Sequence, residues 1–179
     1  MPVPSAEGPV PLQPAQIVRL LRSSTAAIET ETRAAPAELR TWHPAPGEWC
    51  IHEVLGHLIE ADRRGFAGRV QVLLDAENPE LVAWDQRAVA AERRDCERNT
   101  EELLHELLSR REHGLQIVEL LTPEDLARSG RHPKVGELSV SNVVNEWVHH
   151  DRNHLKQLLS NVQADVWPQM GAAQGFVGE

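Results

Sequence analysis

The chain contains no tyrosine, only two phenylalanines and only two cysteines in 179 residues. Without tyrosine, no phenol is available as an acid or as an orienting donor. Cys50 and Cys96 lie far apart in sequence and form no CxxC, which argues against a redox motif and for a reduced, cytoplasmic setting. No stretch approaches the roughly 18 uninterrupted apolar residues of a membrane span. The opening "MPVPSAEGPVPLQP" has neither a basic nor an apolar segment of the kind a secretory signal needs. There is also no excess of basic residues. The formal charge is −9, and Arg93-Arg94 and Arg110-Arg111 sit among acidic residues, so they read as solvated helix faces. A phosphate-backbone binder needs a basic face, so nucleic acid is not an expected partner.

Apolar residues recur at helical spacing instead. Residues 1–14, rich in proline, read as a flexible lead-in. A first helix is expected from Pro14 to about Arg33, carrying Ile17, Leu20, Leu21 and Ile28. Pro44, Pro46 and Gly47 break the periodicity that follows. A second helix should run unbroken from Ile51 to Asp75 on Val54, Leu55, Leu58, Phe66, Val70 and Leu73. A third spans about Asn99 to Leu121, and "TPED" at 122–125 has the proline signature of a further helix start. Ser139 or Ser141 caps a last helix ending near Ser160. No period-2 run indicates a strand. The expected fold is therefore all-α: a four-helix bundle over residues 15–160, with long crossover connections at 34–49 and 76–98. A tail follows at 161–179.

Nine histidines supply the chemistry. In "WVHHDRNHLKQLL" (147–159), about 100° per residue puts His150 and His154 on one side of the helix, at the border of the apolar stripe. His149 turns to solvent. An i, i+4 imidazole pair can reach a single divalent cation. In "EWCIHEVLGHLIEADRRGF" (48–66), His57 also sits at the border of its helix's apolar arc, while His52 lies off it. Facing helices of a bundle can bring such borders together, and three imidazoles leave the open position of a reactive metal.

The segments "WHPAPGEWCIHEVLGHLIEADRRGFAGRV" and "VNEWVHHDRNHLKQLL" resemble the DinB-like superfamily, which includes the YfiT-like metal-dependent hydrolases. The matching features are Trp49, His57, and the His-x-x-x-His of His150 and His154, with Asp151 and Gln157 in support. The resemblance implies a four-helix bundle of the DinB/YfiT type. It also implies a divalent metal, zinc or nickel, held by His57, His150 and His154, and a homodimer. Some members transfer low-molecular-weight thiols.

The leading expectation is thus a metal-dependent thiol S-transferase acting on small electrophiles in stress response or detoxification, with the thiol as cosubstrate. A metal-dependent hydrolase and a non-catalytic metal-binding stress protein are the alternatives. No signature of a particular thiol is present. Glu53, Glu60 and Asp151 are the nearby acid/base candidates, though Glu53 and Glu60 read more readily as solvated or ligand-supporting groups. Gln157 reads as a ring-orienting residue and Cys50 as a small buried one. Trp49 and Trp147 are expected in the core, and Trp84 at a pocket mouth. Trp42, His43, His105, His113 and His132 are assigned no role.

Overall fold

A computed structural model describes residues 11–177; most of the proline-rich lead-in lies outside these residues. Four long helical segments build the protein. Helix α1 spans Pro14–Ala34. The second segment is split into α3 (Ile51–Glu60), a π-helical turn (Ala61–Phe66) and α4 (Ala67–Asp75). Helix α6 spans Thr100–Glu119 and α8 spans Val140–Val166. Short helices α2 (Ala37–Thr41), α5 (Gln86–Arg93) and α7 (Pro123–Ala127) lie in the connections.

Local chemistry sets most of these ends. Pro14 occupies the first turn of α1, where the missing N–H costs nothing. Asn99 caps α6 by accepting from the N–H groups of Glu101 and Glu102. Ser139 caps α8 and forms a reciprocal box with Asn142. Helix α8 continues past Ser160 to Val166, because nothing before Pro168 breaks it.

Two elements depart from the sequence reading. The stretch at 129–139, where no strand is expected, is a short antiparallel hairpin: β1 (Ser129–His132) pairs with β2 (Gly136–Ser139) in register Ser129 to Ser139. The expected continuous second helix is widened by one π turn. Gly68 makes that turn feasible, since a Cβ there would collide with the Arg63 carbonyl oxygen.

Helices α1 and α3 each pack against both α6 and α8. The cyclic order is therefore α1–α6–α3–α8, and the connection from α1 to α3 crosses the end of the bundle. The apolar core falls into two clusters. One gathers Ile17, Leu21, Phe66, Val70, Leu115, Val143 and Trp147; the other gathers Ile28, Val54, Leu58, Leu103, Leu107 and Leu158. Between them runs a buried polar belt to which every long segment contributes. Ser24 and Thr25 come from α1, Asp62 from the π turn, Arg111 from α6 and Asp151 from α8. Arg111 is thus not on a solvated face: its guanidinium reaches Asp62 at 2.8 Å, Asp151 at 3.0 Å and Thr25 at 3.0 Å. Ser24 donates to Asp151 at 2.8 Å. No described helix is long and apolar enough to cross a membrane.

Candidate metal centre

The packing of α3 on α8 brings His57, His150 and His154 together. Their ring centroids lie 5.0, 4.5 and 4.4 Å apart for the pairs His57–His150, His57–His154 and His150–His154. One nitrogen from each ring falls within 4.8 Å of the others. His57 Nε2 faces His150 Nε2 at 2.9 Å, while His57 Nδ1 and His150 Nδ1 are buried without partners. His154 Nδ1 donates to Gln157 Oε1 at 2.9 Å, which leaves Nε2 of that ring with its lone pair.

Burial, with the nearby His154 charge second, pushes the His57 imidazole down to about 3. His150 is pushed down to about 2 by burial, then by His154 and His57. Burial lowers His154 as well, against the pull of Gln157. All three rings are therefore neutral near pH 7, the form in which imidazole binds a metal. Three neutral nitrogens converging with no carboxylate among their hydrogen-bond partners suit a borderline divalent ion.

The walls are aromatic. Trp49 lies 4.9 Å from His57 and 6.4 Å from His154, and Trp84 stacks on His57 at 5.9 Å. Phe66, delivered by the π turn, sets its edge on His150 at 4.9 Å and stacks on Trp147 at 5.3 Å. A groove of about 230 Å³ opens onto His150 between Trp84, Arg69, His132, Lys134 and Glu146. A separate cavity of about 750 Å³ lies on the α4–α6 face and is lined by none of the three histidines.

The three acid/base candidates are engaged elsewhere. Glu53 accepts from the Cys50 N–H at 2.9 Å and pairs with His43 at 2.8 Å. Glu60 is not solvated: it is buried and held by Arg64 and Arg93. Asp151 belongs to the Arg111 belt. His149 is exposed, as its helical angle required. His132 is buried in β1 with Arg69 Nη2 3.1 Å from its Nε2, so it belongs to the groove rather than to a bare loop. Glu146, one turn before His150, was missed by the sequence reading; its i, i+4 spacing to His150 was the available signal.

The family model for the DinB superfamily matches residues 20–158. The chain belongs to the DinB superfamily. This DinB-superfamily chain is 23% identical over 121 residues to a protein of Oceanobacillus iheyensis named as a candidate metal-dependent hydrolase, covering 68% of this chain and 69% of that one. It is also similar to the solved structure of YfiT from Bacillus subtilis, described as a probable metal-dependent hydrolase with an unusual four-helix bundle topology. That match has a TM-score of 0.78 at 16% identity, covering 90% of this chain and 92% of the other.

Proposed function

We propose that the protein is a metal-dependent hydrolase of small molecules, with one divalent ion, zinc or nickel, held by His57, His150 and His154. The convergence of three neutral imidazoles carries the proposal, and the names borne by its relatives support it. An ion bound there would act as a Lewis acid and make water nucleophilic near neutral pH. The chain's own residues do the rest. Gln157 fixes the tautomer and orientation of His154. Trp49, Trp84 and Phe66 restrict water around the rings. Glu146 is exposed and lines the same groove as His150, and we assign it the role of taking a proton from the nucleophile. Arg69, His132 and Lys134 across that groove favour a substrate bearing an anionic or strongly polar group. Assembly as a homodimer rests on the resemblance and is tested by sedimentation velocity.

Transfer of a low-molecular-weight thiol to a small electrophile is favoured by one observation: no carboxylate hydrogen-bonds to the three rings. A thiol is far more acidic than water and can dispense with a base. Metal-loaded protein should be assayed on esters and amides, and on electrophiles with and without added thiol. Hydrolysis predicts thiol-independent turnover that Glu146→Gln lowers about 100-fold or more. Turnover that requires thiol and ignores Glu146→Gln would replace the hydrolase with the transferase. No turnover in either assay by protein that holds metal would leave a non-catalytic binding role.

A further inference from the structure

A second convergence of ligating atoms lies at the start of α3. His43, Cys50, Glu53 and Cys96 place one donor atom each within 4.8 Å of one another. The two sulfurs are 2.7 Å apart, and His43 Nε2 is 3.8 Å from the Cys96 sulfur. The residues come from three separate segments: the loop after α2, the first turn of α3, and a 3-10 turn at Asp95–Glu97. We propose that these four side chains form a structural zinc site, separate from the three-histidine cluster.

Several independent features favour it. Two sulfurs, an imidazole and a carboxylate are each ligands that zinc takes, and four of them suffice to close a site with no open position. Cys50 is the N-cap of α3 and forms a reciprocal capping box with Glu53, whose carboxylate accepts from the Cys50 N–H at 2.9 Å, so the helix start itself fixes two of the four ligands side by side. The site sits at the positive end of the helix dipole, which offsets the negative charge of two thiolates and a carboxylate. The segment carrying Cys96 is pressed onto α3 as well: a Cβ at Gly56 would collide with the Asp95 carboxylate. Cys50 is fully buried, whereas His43 is exposed, which gives an ion a route in from solvent. On binding, both thiols release their protons to solvent and the sulfurs donate lone pairs. Nothing is oxidised or reduced.

Such a site would staple both long crossovers to the helix that carries His57. It would also fix Trp49, the neighbour of Cys50, whose carbonyl accepts from Asn161 at 2.9 Å and whose indole covers His57 and His154. Its role does not depend on the chemistry proposed for the histidines.

The test is titration of reduced, metal-free protein with cobalt(II), followed by absorption. The expected result is one equivalent with a thiolate-to-cobalt charge-transfer band in the near ultraviolet. That band should persist in His57→Ala/His150→Ala and vanish in Cys50→Ser/Cys96→Ser. His43→Ala, a milder change at an exposed side chain, should weaken cobalt binding at this site about tenfold or more while retaining the band. The double histidine variant keeps this outcome distinct from any failure of the catalytic reading. Absence of the band in the parent would overturn the proposal. So would finding both cysteines joined in a disulfide when freshly isolated protein is denatured and alkylated without reductant.

Discussion

His57 on α3 and His150 on α8 present their Nε2 atoms to each other at 2.9 Å, ninety-three residues apart in the chain. Two neutral rings so placed can share one proton at most, while a third nitrogen from His154 converges on the same space. Gln157 decides which nitrogen of His154 is free. Gln157→Ala should therefore leave the fold intact but weaken zinc or nickel binding about 10- to 100-fold, since removing the partner of a ligating imidazole costs that much. Competition against a chromogenic chelator measures it. An unchanged affinity would mean that His154 is oriented by packing alone.

Arg111 anchors the belt between the two core clusters, and its removal leaves Asp62 and Asp151 facing each other in the interior. Breaking a buried pair in this way costs about 3–5 kcal/mol. At about 2–4 °C per kcal/mol for a chain of this size, Arg111→Ala should lower Tm by roughly 6–20 °C. Asp62→Asn and Asp151→Asn combined with Arg111→Met remove all three charges and should recover part of that loss. Differential scanning calorimetry on the parent and both variants separates the cases. A triple variant no more stable than Arg111→Ala would show that the belt acts through its shape rather than its charges.

The four long helical segments were legible because their buried residues keep the three-and-four spacing, and so were the borders on which His57, His150 and His154 sit. What escaped was whatever lacks an apolar pattern. Helix α5 buries nothing, and the hairpin strands are four residues each, with only Gly130 and His132 buried, too few to set an alternating pattern. The π turn keeps apolar residues on both sides of it, so only Gly65 and Gly68 hinted at a change of pitch. By charge alone Arg111 reads as solvated and Glu60 as solvated or ligand-supporting, yet each is buried against opposite charges from another element, and such pairing is tertiary information. The meeting of His43 with Cys96 depends likewise on where two irregular crossovers end.

Glu60 gives the acid limb of stability a named contributor. Burial opposes its ionisation, but hydrogen bonds from Arg64 and Arg93, with the Arg63 and Arg64 charges, outweigh burial and hold the carboxyl below its ordinary value. A carboxyl held low contributes stability above its unfolded pKa, about 4.3, and that contribution is lost as pH falls through the folded value. Glu60→Gln should cost about 1.5–3 kcal/mol near neutrality. It should also flatten the decline in stability on acidification below about pH 4.3. Urea denaturation of parent and variant across that range measures both. Parallel curves would assign the acid limb to other carboxyls.

The π turn offers the sharpest contrast between two glycines. At Gly68 a methyl group would strike the Arg63 carbonyl oxygen, which is backbone and cannot swing aside without unwinding the turn. At Gly65 the same methyl would meet nothing closer than Trp84 Nε1 at 4.0 Å. Gly68→Ala should therefore destabilise by about 1–3 kcal/mol, as other overpacked substitutions do. Gly65→Ala should be neutral or stabilise by up to about 1 kcal/mol through reduced backbone freedom in the unfolded chain. Because unwinding would withdraw Phe66 from Trp147 and His150, Gly68→Ala should also change tryptophan fluorescence and weaken metal binding. Gly65→Ala should do neither. Equal stability of the two variants would mean that the turn relaxes to an ordinary α-helix at little cost, and that the site does not depend on it.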